Sequence, residues 1–324
     1  IDLSSLRKFE ILGPDAEELM NYTLTKNIKK LSVGQIVYSA MCYENGTMFD
    51  DGTLLKLSET GFRWVCGDEY AGEWLKEQAK KKNLKVVIKN STDQINNISV
   101  QGPNSRKILE KIIFTPPTQP TISELEWFRF TICRLEKLNG IPLIVSRTGY
   151  TGELGYEVWC HPDHAPQVWD KVMAAGKDDG LIPAGFGALD LLRIEAGLVL
   201  FGNEFEGQQH PFEAGIGFAV QLKTKTDDFI GKENLIKRKE NPQKKLVGLD
   251  LIGKEKANHG DCVHIGRAQV GIITSACLSP TLGKNIALCR IDIGHSEIGT
   301  DVEVGKIDGH QKRIPAKIVS FPHY

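Results

Sequence analysis

The sequence has 324 residues, 41% of them hydrophobic and 25% charged, and its formal net charge is −1. This composition is typical of a globular protein of two or three domains. It argues against a nucleic-acid-binding surface, which needs clustered positive charge, and no apolar run reaches the roughly 18 residues of a membrane span. The seven cysteines are widely spaced among apolar neighbours, which predicts reduced thiols and a cytoplasmic protein.

The chain starts without a methionine inside an apparent strand, residues 1–6, so we expect the native N-terminus to lie upstream. Residues 7–12 are predicted as a strand and Gly13-Pro14-Asp15 as a turn, and the apolar residues that follow have helical spacing. An amphipathic helix is predicted across residues 71–79. Further short strands are predicted at residues 36–42, 52–57, 62–66 and 85–89.

The order of strand, Gly-Pro turn and helix returns from residue 97, where the turn is Gly102-Pro103-Asn104. Two such units predict a duplicated α+β layout. Residues 128–160 predict more strands joined by turns, and Asn139-Gly140 is the signal of a two-residue hairpin. A helix is expected to start at Pro166 and to end at the glycines that follow it.

The C-terminal part of the chain differs in character from what precedes it. Residues 188–198 have the profile of a mostly buried helix with an internal ion pair between Arg193 and Glu195. After a lysine-rich connection, short alternating strands are predicted at residues 246–251, 270–275, 286–293 and 316–319. They indicate a small all-β barrel or sandwich.

Three glycines punctuate residues 146–157, between strands predicted at residues 141–147 and 156–160. Because glycine tolerates left-handed and cramped backbone, a ligand could approach the main chain closely here. A glycine-rich hairpin that holds no ligand is the other interpretation of the same residues.

Two adjacent carboxylates, Asp50 and Asp51, follow the Asn45-Gly46 turn and enter a strand. Since strand side chains alternate between the two faces, one of them is expected to point inward and the other outward or into the turn. An inward carboxylate needs a partner, which is either the backbone amides of the hairpin or a nitrogen of a ligand.

Glu157 can accept two parallel N–H bonds from an amidine-like edge, which is the donor pattern of a pterin or guanine ring. Aromatic side chains would stack on the faces of such a ring, and the candidates are Tyr150, Tyr38 and the pair Trp127-Phe128. Aromatic residues of this kind also occur in hydrophobic cores, so this interpretation stays open beside the first.

Other kinds of site have weaker support in the sequence. His161 and His164 have a spacing that suits a metal ion, but Pro162 between them favours a helix start, so we predict no metal site. Residues 185–190 carry only the first half of a dinucleotide-binding glycine motif, and no phosphate-binding loop or hydrolase motif occurs.

Eight blocks of sequence stand in one order along nearly the whole chain, at residues 37–42, 44–51, 101–103, 146–157, 183–196, 211–213, 229–233 and 274–284. In this order they resemble the glycine-cleavage T-protein family of tetrahydrofolate-dependent aminomethyl and methyl transferases. The resemblance implies an α+β, three-domain disc around a central opening for tetrahydrofolate. Two duplicated domains of antiparallel sheet and helix and a C-terminal small β-barrel would make up that disc.

On this basis we expect a first domain at residues 1–90, completed by residues from about 180–240, a ferredoxin-like second domain at residues 91–180, and the barrel at residues 241–324. By the same resemblance Asp51 matches the family's catalytic aspartate, which sits near the reactive folate nitrogens. Glu157 matches the carboxylate that holds the pterin ring. The lining of the folate pocket is assigned to Tyr38, Thr53, Trp127, Phe128 and Tyr150.

The implied reaction is attack by folate N5 on a one-carbon unit, which Asp51 orients or assists electrostatically. Departures from the family concern the donor: Leu189 stands where T-proteins usually carry arginine, and residues 65–68 replace an asparagine-bearing segment. They favour a demethylase-type methyltransferase with a small sulfonium, amine or methoxy donor over an aminomethyltransferase served by a lipoyl carrier protein. A folate-binding scaffold without activity is the alternative from another class, and Asp51 argues against it.

Overall fold

The computed structural model describes residues 1–306 and 313–324 of the chain. They divide into two compact units, of which the first contains residues 1–39 and 51–186 and the second contains residues 40–50 and 187–324. The finer division into three domains stays a prediction.

Strands and short helices alternate in the first unit. Its strands are β1 (Arg7–Leu12), β2 (Ile36–Cys42), β3 (Met48–Ser58), β4 (Gly61–Cys66), β5 (Val87–Asn90), β6 (Asn96–Gln101), β7 (Ile113–Phe114), β8 (Phe130–Leu135), β9 (Pro142–Ser146) and β10 (Gly155–Cys160). The distal ends of β2 and β3 extend into the second unit. The helices are α1 (Ala16–Thr23), α2 (Tyr70–Lys81), α3 (Ser105–Glu110) and α4 (Ala165–Gly176).

These strands form two five-stranded sheets, with the orders β2-β3-β4-β1-β5 and β6-β10-β9-β8-β7. The first strand of each sheet in the chain leads through a Gly-Pro turn into a helix, from β1 to α1 and from β6 to α3. Gly13 and Gly102 in these turns both have positive φ angles, 134° and 110°, which side-chain-bearing residues rarely adopt. The predicted duplicated α+β layout is therefore confirmed.

One face of each sheet packs against the other sheet. Ile36, Leu55 and Val65 of the first sheet form one apolar cluster with Phe130 and Trp159 of the second. Paired residues on neighbouring strands project from the same face. The register therefore places two rows of residues on these facing surfaces: Thr53, Val65 and Lys8 on the first sheet, and Ser99, Glu157 and Ser146 on the second.

The opposite faces of the sheets are covered by helices. Val168 and Val172 of α4 and Leu109 of α3 join the apolar residues on the far face of the second sheet. On the first sheet, Gly72 of α2 lies so close to Phe9 that an added Cβ would be 2.3 Å from the ring. Both sheets are thus held between a helical layer and the facing sheet, which fixes the side chains on the inner faces.

The second unit contains helices α5 (Phe186–Glu195, which starts at the unit boundary) and α6 (Lys232–Glu240). Its strands are β11 (Lys244–Leu251), β12 (Cys262–Ile265), β13 (Ala268–Leu278), β14 (Asn285–Asp292), β15 (Asp301–Gly305) and β16 (Arg313–Val319). They close into a barrel in the order β11-β14-β13-β12-β15-β16 around buried apolar side chains. The structure therefore selects the barrel over the sandwich.

Two local predictions are wrong. Residues 1–6 form a single bridge from Asp2 to Ile98 and then a turn instead of a strand. Asn139-Gly140 does not make a two-residue hairpin, because the chain between Leu135 and Pro142 forms a longer loop closed by a 2.9 Å bond from Leu135 N to Ile141 O. Glu136 at the start of that loop takes the left-handed φ of 60°.

The ion pair predicted between Arg193 and Glu195 in α5 is also wrong. Arg193 is fully buried and binds Glu204 and Asp190, each at 2.8 Å, and not Glu195. The physical reason is helical geometry, since residues two apart project from different sides of a helix. Glu195 instead accepts hydrogen bonds from Ser279 and Thr281 near the end of β13.

Candidate active site

Asp51 lies on the inner face of the first sheet, where β3 enters the first unit. The hydroxyl of Tyr38, on the neighbouring strand β2, donates a hydrogen bond of 2.6 Å to Asp51 Oδ2. Burial raises the pKa of Asp51 to about 6, although the bonds from Tyr38 and from the Asp51 backbone act in the opposite direction. Asp51 is therefore a carboxylate that can change its protonation state near neutral pH.

Of the two orientations expected for the second carboxylate, outward or into the turn, the outward one is wrong. Asp50 is only 1% exposed, and Asp51 is half-buried on the inner face. Asp50 and Asp51 are both covered because the strand is enclosed on both of its faces. The two side chains therefore point to opposite faces that are both buried, and neither face is open to solvent.

Glu157 occupies the equivalent inner face of the second sheet, on β10. Its Oε2 accepts a hydrogen bond of 2.5 Å from the hydroxyl of Thr148, and its Oε1 accepts one of 3.3 Å from Asn97 Nδ2. Burial raises the pKa of Glu157, and the bonds from Thr148, Asn97 and Ser146 offset part of that rise. The carboxylate is thus anchored on both oxygens by donors.

Lys8 is the nearby cation that sequence reasoning missed. Its side chain is buried on β1, and its Nζ donates to the carbonyl oxygens of Ser4 and Leu6 at 2.9 and 2.8 Å. Burial lowers the pKa of Lys8 to about 8, with a further contribution from Arg63, while Asp2 and Glu157 partly oppose it. Three ionisable groups with shifted pKa values therefore lie on the two facing sheets, which is a mark of functional sites.

The glycine-rich turn at residues 146–157 is packed around a side chain of the protein itself. A Cβ at Gly149 or Gly155 would lie 2.1 or 1.7 Å from Gln101 Oε1. The amide of Gln101 donates to the carbonyl oxygens of Thr148 and Tyr156 at 3.2 and 3.3 Å. These two glycines make room for the side chain of Gln101. The same turn places Thr148 within hydrogen-bonding distance of Glu157.

Of the aromatic candidates, Phe128 packs against the apolar cluster between the sheets and has a left-handed φ of 56°. Its backbone is held by bonds from Ile36 N and to Arg147 O, of 2.8 and 3.1 Å. A non-glycine residue held in this region is strained and often marks a functional site. Trp127 beside it is 73% exposed, with its ring 4.8 Å from that of Phe128 and perpendicular to it.

The remaining predicted residues lie on the same unit at different depths. Thr53 is two residues beyond Asp51 on β3 and is half-buried beside Val65. Tyr150 is half-buried in the turn between β9 and β10. The structure thus brings Asp51 together with Tyr38 by a direct bond, and it places Thr53, Glu157 and Phe128 on the facing sheet surfaces.

The polar groups around Glu157 suit a ring that carries both donors and acceptors. Asn97 is fully buried, and because its Nδ2 must face the carboxylate, the orientation of its Oδ1 is fixed. Asn97 Oδ1 and Arg63 Nη1 are buried without a hydrogen-bond partner among the described residues. The unpaired acceptor Asn97 Oδ1, beside an anchored carboxylate, fits the polar edge of a pterin such as tetrahydrofolate.

His161 caps the short helical turn that precedes α4, where its Nδ1 accepts a bond of 3.3 Å from Asp163 N. Among the described residues no cluster of three or more His, Cys, Asp and Glu side chains could hold a metal ion. All seven cysteines are free thiols, and only Cys262 is not fully buried. Across residues 1–306 and 313–324, no helix is long and apolar enough to cross a membrane.

Comparison with known families decides the assignment. The model of the GCVT N-terminal domain matches residues 1–224, and that of the glycine cleavage T-protein C-terminal barrel domain matches residues 244–324. The chain belongs to the glycine cleavage T-protein family. The resemblance of the eight sequence blocks to this family is confirmed.

Two relatives of this T-protein-family chain carry different names. It is 58% identical over 324 residues to the trimethylamine-oxide aldolase of Ruegeria pomeroyi, and 40% identical over 329 residues to the aminomethyltransferase of Bacillus subtilis. Both matches cover all of this chain, but they cover 41% of the first relative and 86% of the second. The chain therefore spans less than half the length of the trimethylamine-oxide aldolase.

A solved structure shows the same fold. The aminomethyltransferase T of the glycine cleavage system from Bartonella henselae matches with a TM-score of 0.86 and 24% identity, over all of this chain and 85% of the other. The likeness confirms the α+β fold of the T-protein type with its C-terminal barrel. Relatives named aminomethyltransferase and trimethylamine-oxide aldolase match the whole of this chain, which is therefore a member of an enzyme family.

Proposed function

We propose that this chain binds tetrahydrofolate and transfers a one-carbon unit to it from a small methylated donor. The observation that carries the proposal is the pair of anchored carboxylates on facing sheet surfaces of one unit, Asp51 bound by Tyr38 and Glu157 bound by Thr148. Membership of the T-protein family supports the choice of cofactor.

Glu157 is the group that holds the pterin. Its two oxygens are fixed by Thr148 and Asn97, and it presents its remaining lone pairs as acceptors for adjacent N–H groups. Thr53 lies on the facing sheet. Phe128, which packs against the apolar cluster between the two sheets, supplies an aromatic surface. The exposed Trp127 and the half-buried Tyr150 would extend this aromatic lining, and Tyr38 would add to it beside Asp51.

Asp51 is the group that manages the proton. Because burial raises its pKa to about 6, Asp51 can both accept and return a proton near neutral pH. Tetrahydrofolate supplies the nucleophilic nitrogen N5 when it is bound. Asp51 orients that nitrogen, stabilises positive charge beside it, and gives up or takes the proton at its carboxylate oxygen.

The relative named trimethylamine-oxide aldolase supports an N-methylated amine compound as the source of the one-carbon unit. An aldolase releases a carbonyl compound, and the carbonyl compound that one methyl group of an amine N-oxide can yield is formaldehyde, because the N–O bond is reduced while the methyl carbon is oxidised. This favours a 5,10-methylene product over the 5-methyl product that a direct methyl transfer would give. The chain spans only 41% of the length of that relative. The donor and the overall reaction are therefore proposed for this chain and not taken over from the relative.

The second candidate is an aminomethyltransferase that takes its group from a lipoyl carrier protein. It is supported by relatives of that name, such as the one from Symbiobacterium thermophilum, which is 38% identical and matched over 85% of its length. A third candidate, a folate-binding scaffold without activity, is opposed by Asp51 with its shifted pKa and its bond to Tyr38.

The test is incubation of the purified chain with tetrahydrofolate and one donor at a time: formaldehyde, trimethylamine oxide, a methyl sulfonium and an aminomethyl-lipoyl protein. Because a methylated amine N-oxide would deliver its one-carbon unit as formaldehyde, we expect accelerated formation of 5,10-methylene-tetrahydrofolate with formaldehyde over the uncatalysed rate, and loss of the acceleration in Asp51→Asn. Turnover with the lipoyl protein alone would establish the second candidate. Tight folate binding without acceleration for any donor would establish the scaffold.

A further inference from the structure

A continuous series of hydrogen bonds leads from Trp159 to Glu157 through two hydroxyl groups. The indole Nε1 of Trp159 donates to Ser146 Oγ at 3.0 Å. Ser146 Oγ lies 2.8 Å from Thr148 Oγ1, and Thr148 Oγ1 lies 2.5 Å from Glu157 Oε2. All four residues belong to β9, β10 and the turn that joins them.

The direction of these bonds follows from the chemistry of the two ends. An indole N–H only donates and an ionised carboxylate only accepts. Ser146 therefore accepts from Trp159, and its own proton is given either to Thr148 at 2.8 Å or directly to Glu157 Oε2 at 3.5 Å. Thr148 in turn gives its proton to Glu157. Every proton of the series points toward the carboxylate.

Two features of its surroundings strengthen the indole N–H of Trp159 as a hydrogen-bond donor. Trp159 is 3% exposed, so water does not compete for its N–H. The guanidinium of Arg63 lies 6.0 Å from the Trp159 ring, and Glu10 holds it there through a 2.6 Å bond to Arg63 Nε. A cation over an aromatic ring draws electron density from it, which makes the indole N–H a better donor, and bonds in series polarise one another.

We propose that Trp159 is a positioning residue of the folate site, whose indole N–H sets Glu157 as a fixed acceptor through Ser146 and Thr148. The inference rests on the proposed function and deepens it. Because both oxygens of Glu157 receive protein donors, the carboxylate selects ligands with adjacent N–H groups. It discriminates against rings that present an acceptor at the same edge.

The protonation of Glu157 gives this proposal a readout that a purely structural tryptophan would not change. Burial raises the pKa of Glu157, and the donors Thr148 and Ser146 counter that rise. Loss of the indole N–H weakens those donors, so the pKa rises further. The charged groups on the facing sheet are Lys8, the pair of Arg63 and Glu10, and Asp51. A phenylalanine at position 159 leaves all of them in place.

The experiment compares Trp159→Phe with the matched variant Trp64→Phe. Trp64 is also fully buried in the first unit, but its Nε1 has no hydrogen-bond partner among the described residues. Both substitutions remove the same volume, and only the first removes a donor from the series. The Glu157 carboxyl is titrated by carbon NMR in the folate-free protein, and the dissociation constant for tetrahydrofolate is measured separately.

We expect the titration of Glu157 to move to higher pH in Trp159→Phe and to stay unchanged in Trp64→Phe. The dissociation constant should increase about three- to tenfold in Trp159→Phe, the effect of one lost hydrogen bond, and less in Trp64→Phe. Ser146→Ala interrupts the same series, so combining it with Trp159→Phe should add little to either single change.

An unchanged Glu157 titration in Trp159→Phe, or additive effects with Ser146→Ala, would overturn the inference. If wild-type protein does not bind tetrahydrofolate and the titration still moves in Trp159→Phe alone, the proposed function fails while the positioning of Glu157 by Trp159 stands.

Discussion

The hydroxyl of Tyr38 lies 2.6 Å from Asp51 Oδ2 and is the direct donor to the carboxylate whose pKa burial raises to about 6. The bond joins neighbouring strands β2 and β3, so it fixes one oxygen of Asp51 on the inner face of the first sheet. It also keeps the pKa of Asp51 from rising further, since a donor stabilises the ionised form. The behaviour of Asp51 with pH therefore depends on Tyr38.

Substitution Tyr38→Phe should raise the pKa of Asp51. If the reaction needs ionised Asp51, the acid limb of the pH profile of kcat/KM then moves to higher pH, and the loss of rate is larger at pH 6 than at pH 8. The profile of Tyr70→Phe serves as control, because Tyr70 is an exposed residue on α2. A pH-independent loss of rate in Tyr38→Phe would contradict the assigned effect on Asp51.

Substitution Asp51→Asn should abolish most of the activity and at the same time stabilise the fold. The pKa of Asp51 is raised in the folded state, so its contribution to stability is present below pH 4 and is lost as pH rises through about 6. At pH 7 the neutral asparagine avoids that loss, which amounts to about 1–3 kcal/mol.

The measurement is urea-induced unfolding of both proteins between pH 4 and pH 8. The difference in the free energy of unfolding between Asp51→Asn and wild type should grow with pH and level off above pH 7. A variant that is less stable than wild type at pH 7 would show that the carboxylate has a stabilising partner instead of an unfavourable burial.

Substitution Glu157→Gln should weaken tetrahydrofolate binding about ten- to a hundredfold, the range for a lost charged hydrogen bond. The glutamine keeps the shape but replaces one acceptor by a donor, which then faces Thr148 or the ligand. Isothermal titration of tetrahydrofolate measures the change, with Glu110→Gln on the exposed surface of α3 as control. Equal affinities for Glu157→Gln and wild type would exclude Glu157 from the pterin site.

Substitution Gly155→Ala should destabilise the first unit by about 2 kcal/mol or more, since its Cβ would lie 1.7 Å from Gln101 Oε1. Shortening the side chain in Gln101→Ala removes the obstacle, so the double variant should lose less stability than the sum of the two single changes. Gly185→Ala is the control, because a Cβ there meets no atom within 4 Å. Additive losses in the double variant would show that Gln101 is not the obstacle.

Much of the fold could be predicted from the sequence, because local patterns and global packing agree. Strand β2 starts and ends at the predicted residues, and α2 lies where its periodicity placed it. Four of the six described barrel strands overlap predicted ones, whereas β12 and β15 were not predicted. The Gly-Pro turns predicted the duplication, since their positive φ angles are set locally. The Asn139-Gly140 hairpin failed because the pairing of β8 with β9 starts beyond the turn that those residues favour.

The site could be predicted only in part. Motif likeness indicated Asp51 and Glu157, but Asn97 and Lys8 touch or influence Glu157 from positions with no motif of their own. Thr148 lies within the block of residues 146–157, but its bond to Glu157 was not visible in the sequence. These three residues meet Glu157 through sheet register and a turn, which are tertiary features. Gln101 shows the same limit: its motif was visible in the sequence, and its role in filling the space beside the glycines was not.

The most direct test of the central claim is equilibrium binding of tetrahydrofolate to the wild-type chain and to Glu157→Ala under anaerobic conditions. We predict saturable binding to the wild type with one molecule per chain, and a loss of most of that affinity in Glu157→Ala while the folded structure persists. Absence of saturable binding to the wild type, or equal binding by both proteins, would contradict this prediction.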